Sequence, residues 1–185
     1  MRAILLDADA FINLRKLSIG RTSLLVIFLQ RAKQQGRAVY LTQYVAEHDL
    51  SDLQTEIAFF KSKGLLIIEK VLSSDTTYRR LRRLIDKGEA EAIAWSVKRA
   101  RSERPLFVAR DKGALTCASN NKVPSTDLMG LIVELIQSEL LTKKEAKEAV
   151  EPWSDPGQQI GKPRDYKTFE ATFAKRRSHG PYYYP

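Results

Sequence analysis

Four short runs of this chain are apolar or aromatic without interruption: Ala3–Leu6, Ala38–Leu41, Leu65–Ile68 and Leu106–Ala109. Runs of that length that do not alternate with polar residues suit strands buried on both faces. The segments between them carry apolar residues at helical spacing, as in Thr22–Gln35, Glu89–Lys98 and Leu128–Leu141, and Gly36 and Gly64 stop two of them. Thr42 is placed to cap a helix through Glu47. Strands alternating with helices give a parallel sheet covered on both sides. The expected fold class is α/β, a three-layer sandwich around a central parallel sheet of four to five strands, the fifth near Lys122–Pro124.

At 185 residues the chain is long enough for one domain with its own core. Composition shifts near residue 150. Residues 1–150 read as the domain, and 151–185 as a basic, aromatic tail, extended or loosely attached, so that a chain ending near Val150 is expected to stay folded. The formal charge of +9 favours a polyanionic partner such as nucleic acid. No apolar run reaches the ~18 residues of a membrane span, so no membrane partner is expected. Asp7 interrupts the N-terminus too early for a signal peptide. A single cysteine, Cys117, fits a reducing compartment, and a cytoplasmic location is expected. Two histidines make a His-rich zinc site a poor fit.

The first strand ends abruptly in Asp7-Ala-Asp9. In an α/β sheet the carboxyl ends of the strands open into the crevice that takes ligands. A helix cap explains one aspartate of the pair, and Asp9 is the one assigned to it. Glu47 follows the second strand, Glu89 starts a helix after Gly88, and Asp111 follows the fourth strand. Singly, each has an ordinary explanation: a surface helix residue, a first-turn acid, a turn former. Jointly they gather at one end of the sheet. Clustered carboxylates repel unless a cation neutralises them, and all-oxygen sets suit Mg²⁺ or Mn²⁺. Asp127, just before the Leu128 helix, is a more peripheral fifth metal acid, with helix capping as the alternative. As a metal acid, Asp127 predicts that Asp127→Asn leaves the melting temperature unchanged or higher.

Four pieces resemble the motifs of PIN-domain nucleases, the group that includes VapC-like toxins. Ile4-Leu-Leu-Asp-Ala-Asp-Ala-Phe-Ile12 resembles the opening strand with its first acid, and Leu41-Thr-Gln-Tyr-Val-Ala-Glu47 the unit holding the second. Gly88-Glu-Ala-Glu-Ala-Ile-Ala94 resembles a variant third motif, in which Glu89 takes the acid's place and Glu91 is the fallback. Leu106-Phe-Val-Ala-Arg-Asp-Lys-Gly-Ala114 resembles the strand bearing the next acid, although basic Arg110 stands where a second acid often precedes it. The resemblance covers about Met1 to Ala149. It implies a PIN-like fold and a Mg²⁺- or Mn²⁺-dependent endoribonuclease whose catalytic, metal-holding acids are Asp7, Glu47, Glu89 and Asp111. RNA is the implied substrate, in the setting of a toxin–antitoxin pair or of RNA processing. An antitoxin protein and a second copy of the chain are the further partners it allows.

Two basic groups are candidates for contact with the nucleic acid: Arg79, Arg80, Arg82 and Arg83 on a short helix over Tyr78–Ile85, and Lys175, Arg176 and Arg177 in the tail. A solvated helix face is the plainer account of the first. Asp7-Ala-Asp9 after a strand also mimics the acid pair of haloacid-dehalogenase-type phosphatases, but Ala10-Phe11 follows and the later acid pair is missing. A PIN-like module that binds RNA without cutting it is the remaining alternative.

Overall fold

The computed structural model describes residues 3–100, 102–155, 157 and 160–179. Its central sheet has five parallel strands: β1 (Ile4–Leu6), β4 (Val39–Thr42), β5 (Ile67–Glu69), β6 (Leu106–Val108) and β7 (Ser125–Thr126). Their spatial order is β5-β4-β1-β6-β7. Leu5 of β1 pairs with Tyr40 on one side and Phe107 on the other. The chain therefore builds outward from β1 in one direction, returns, and builds outward in the other. The junction of β1 and β6 is the point where the strand order reverses, and ligands of open α/β sheets sit outside the carboxyl ends there. A two-stranded hairpin, β2 (Ser18–Ile19) with β3 (Thr22–Ser23), lies apart from the sheet.

Helices cover both faces. Alternate residues of a strand point to opposite sides, and here both sides are apolar. Ile4 and Leu6 face a core shared with α1 (Ala8–Lys16), α2 (Leu24–Gln34), α7 (Leu128–Gln137) and α8 (Lys143–Ala149). Leu5 and Phe107 face a second core with α5 (Lys87–Arg99) and α6 (Lys112–Asn120), joined by Leu81 of α4 (Thr76–Leu81). The expected three-layer α/β sandwich is the fold observed. Among the described residues no helix is long and apolar enough to cross a membrane.

Several local expectations need correction. Thr42 does not cap a helix: it ends β4, and its buried Oγ1 has no hydrogen-bond partner among the described residues. The helix that follows opens into a π-helical turn, Val45–Asp49, before a 3₁₀ turn and α3 (Gln54–Ser62). The fifth strand is Ser125–Thr126 rather than Lys122–Pro124, because Lys122 takes a left-handed conformation (φ 58°) at the end of α6. β5 is an edge strand, and its Ile67 is 41% exposed. The basic helix is short, ending at Leu81, so Arg82 and Arg83 sit on the turn beyond it.

The largest correction concerns the tail. Past the 3₁₀ turn Glu151–Ser154, the chain ends its described part in a helix, α9 (Phe169–His179), not in an extended segment. Trp153 is fully buried, and Tyr166, Phe169 and Phe173 join the core built by α1, α2 and α7. Phe169 and Phe173, one turn apart, stack with ring centroids 5.7 Å apart, and Tyr166 meets Trp153 edge-on at 5.3 Å. The part of the tail from residue 180 onward lies outside the described residues.

Candidate active site

Three neighbouring strands of the sheet are each followed by an aspartate that caps the next helix, directly after β1 and β7 and three residues past the end of β6. Asp7 Oδ1 accepts from the Ala10 amide at 2.7 Å at the start of α1. Asp111 Oδ1 accepts from Ala114 at 2.8 Å at the start of α6, and Asp127 Oδ1 from Gly130 at 2.9 Å at the start of α7. Short polar side chains with extended backbone are favoured at this position because they satisfy an amide that has no partner within the helix. Capping uses one oxygen of each carboxylate and turns the group toward the carboxyl edge of the sheet. A capping role and a ligand role are therefore not exclusive.

Asp7 is the buried centre of the group, only 6% exposed. Burial pushes its pKa up to about 8, and the charges of Asp9 and Glu89 add to the rise; amides of Ala10 and Arg110 oppose it. Glu89, half-buried in the first turn of α5, is pushed up to about 7 by burial first, then by Asp111, Asp86 and Asp9. Asp7, Asp9, Glu89 and Asp111 thus feel one another across the ends of β1 and β6. The assignment of the cap to Asp9 is corrected: Asp7 caps α1, and Asp9, in the first turn, is exposed and lines the cleft.

Glu91 does not belong to the group. Two residues along a helix from Glu89, it points elsewhere, and its buried carboxylate accepts from the amides of Tyr44 (2.8 Å) and Val71 (3.4 Å), tying α5 to the chain leaving β4 and β5. Glu47 is engaged within its own turn: it is exposed on the π-helical turn and takes a hydrogen bond from Gln43 Nε2 at 2.7 Å. From that turn it is Asp49 that faces the start of α5. A side chain added at Gly88 would bring its Cβ to 2.5 Å from Asp49 Oδ2, so glycine is what lets the two elements close. Burial raises the Asp49 pKa, opposed by His48 and aided by Asp86 and Glu91. The sequence signals for Asp9, Asp49 and Asp86 were present as acids flanking the motif positions, but only the π turn and the capping geometry decide which of them face inward.

Asp127 is engaged from behind. Its Oδ2 accepts from Arg176 Nη2 at 2.6 Å, and the same nitrogen reaches Asp165 Oδ1 at 3.0 Å. Arg176 is fully buried, so the expectation that it contacts nucleic acid is corrected: it is the internal counter-ion of two aspartates. Lys175 pairs with Asp165 at 2.9 Å, while Arg177 is exposed. Arg79, Arg80, Arg82 and Arg83 are all exposed, and Arg80 donates to Asn121 Oδ1 at 2.6 Å.

Beside the acids a cleft of about 560 Å³ opens at the carboxyl ends of β6 and β7. Asp9, Asp111 and Asp127 line it together with Arg110, Lys112, Lys162 and Arg164. Every candidate ligand here is a carboxylate oxygen, the donor type of Mg²⁺ and Mn²⁺. Among the described residues, no three His, Cys, Asp or Glu side chains stand close enough to hold an ion as they are. No family model matches the chain, and neither a curated protein nor a solved structure is significantly similar to it.

Proposed function

We propose that this protein is a divalent-metal-dependent endoribonuclease of the PIN type. The observation that carries the reading is the placement of the buried Asp7 beside Asp9, Glu89 and Asp111 at the junction where the strand order reverses. Holding a carboxylate 6% exposed beside further acids costs stability, and a cation offsets that cost. The resemblance of the Ile4–Ile12, Leu41–Glu47, Gly88–Ala94 and Leu106–Ala114 pieces to PIN motifs supports the same reading, as does the basic excess of the chain.

Asp7, Glu89 and Asp111 are the residues that would hold Mg²⁺ or Mn²⁺, with Asp9 as the addition the fold suggests. Closing the set on an ion requires side-chain rotation by the exposed Asp9 and Asp111. Such an ion, when bound, lowers the pKa of water and offsets charge at phosphorus. The chain's own part is to keep Asp7 fixed by its two amides, beside a cleft that Asp9 and Asp111 line together with Arg110, Lys112, Lys162 and Arg164. Asp127, matched by Arg176, is left out of this set. A toxin paired with an antitoxin and an RNA-processing enzyme would use the same chemistry and differ in partner.

Purified protein incubated with structured and single-stranded RNAs is expected to cut with Mn²⁺ or Mg²⁺ and not with EDTA. Asp7→Asn keeps a good cap and is expected to reduce cutting to background while the circular-dichroism spectrum is unchanged. A variant that cut as fast as the wild type would remove Asp7 from the site. The lack of three converged donors among the described residues favours one second reading, a PIN-like module that binds RNA without cutting it. Metal-independent RNA binding with no cleavage under any ion would select that reading.

A further inference from the structure

The wall of the cleft facing the acids is the segment Gly161-Lys-Pro-Arg164, which lies beyond the stretch that resembles a PIN domain. It is clamped at both ends. On one side Trp153 Nε1 donates to the carbonyl of Ile160. Gly161 has φ +65°, and a Cβ there would lie 2.6 Å from Leu128 Cδ2 and 2.9 Å from Asn13 Cβ, so the backbone is pressed between α1 and α7. On the other side Asp165 accepts from Lys175 and from the buried Arg176, which also holds Asp127. Between the clamps, Lys162 and Arg164 line the cleft together with Arg110 on the β6–α6 connection and Lys112 at the start of α6.

The charge count selects what enters. Four cations and three carboxylates line the cleft, and Asp127 is already matched from behind by Arg176. The remaining carboxylates would repel a polyanion, so a phosphate backbone reaches them only where cations flank them. We infer that Gly161–Arg164 is the phosphate-gripping wall of the RNA site, with Lys162 and Arg164 binding phosphates that neighbour the one at the acids. The inference rests on the nuclease reading and adds the C-terminal segment to its binding surface.

A short, fluorescently labelled single-stranded RNA titrated in EDTA over a salt series tests it, read by anisotropy. The double variant Lys162→Ala/Arg164→Ala is expected to bind about tenfold more weakly at low salt, with a log–log salt slope shallower by about 1.4, or about 0.7 for each single variant. Lys162→Arg/Arg164→Lys is expected to keep both affinity and slope. The melting temperature and its increase with Mn²⁺ are expected to match the wild type, since neither side chain caps a helix or meets Asp7. Equal affinity and slope in the alanine variants would overturn the wall while leaving the nuclease reading in place. Weaker binding with an unchanged slope would also overturn it, by showing a structural effect. A wild-type protein that takes up neither RNA nor Mn²⁺ would overturn the nuclease reading and the wall together.

Discussion

At the scale of single residues, the aspartates at the ends of β1, β6 and β7 do the same local job in three different environments, and the environments decide what each can add. Asp7 pairs with no cation among the described residues and has a pKa of about 8, far above the ~3.9 of an aspartate in the unfolded chain. The folded protein then holds a proton that the unfolded chain releases, so Asp7's contribution is fully present below about pH 4 and is lost as pH rises toward about 8. Glu89, raised to about 7, acts in the same direction but is solvent-screened. Metal-free protein is expected to melt higher at pH 5 than at pH 8; Mn²⁺ is expected to restore the loss at pH 8, and Asp7→Asn to flatten the profile and remove the Mn²⁺ response. A profile that rises with pH in differential scanning fluorimetry would refute this. Asp127 is the opposite case. Burial pushes its pKa up and Arg176 pulls it back. Asp127→Asn preserves the cap but removes one of the two carboxylates paired with the buried Arg176, and it is expected to destabilise by ~3–5 kcal/mol in urea unfolding. The sequence alone predicts an unchanged or higher melting temperature, because Arg176 reads there as one of three tail cations and nothing marks it as buried.

The elements divide into those the sequence declares and those it conceals. Continuous apolar runs announced β1, β4 and β6, since a strand buried on both faces admits little else. Composition puts β7 two to three residues early, because the left-handed Lys122 gives no composition signal in a basic residue. The π turn is not legible at all: Val45–Asp49 has an ordinary helical pattern, and the turn is what ends in Asp49 against Gly88 at the start of α5. In the tail a signal existed, with Phe169, Phe173 and Arg176 spaced to share one helix face. The arginine at its end made the face look solvent-exposed. Trp153, Tyr166, Phe169 and Phe173 each contribute roughly 1.5–3 kcal/mol by burial, a sum comparable with the whole ~5–15 kcal/mol stability of a domain. A chain ending at Val150 is therefore expected to be insoluble or to lack a cooperative melt, contrary to what a loosely attached tail predicts. A soluble truncation with a wild-type melting curve would show that α9 does not support the core.

For the whole molecule, the proposed nuclease function brings a polyanion to a sheet edge that carries carboxylates, and the formal +9 has to overcome them. Within the cleft the clamped wall acts at contact distance. Farther out, Arg79, Arg82 and Arg83 are exposed on α4 and the turn that leads into α5, whose first turn carries Glu89. Charges that touch no ligand act through the long-range field, and such fields change the rate of encounter more than the lifetime of a complex. Salt screens them over about 10 Å at 0.1 M, whereas contacts inside a cleft are screened less. The two basic groups should then separate kinetically. Arg79→Glu/Arg82→Glu/Arg83→Glu is expected to slow RNA association about tenfold or more at low salt and to converge on the wild-type rate at high salt, with the dissociation rate within about twofold. None of the three side chains is buried, so the melting temperature and the Mn²⁺ response should hold. Stopped-flow fluorescence with a labelled RNA reads both rates. If dissociation accelerated instead and the difference persisted at high salt, α4 would be part of the contact surface itself. If neither rate moved, the arginines would be a solvated helix face and the field that guides RNA would have to come from the cleft.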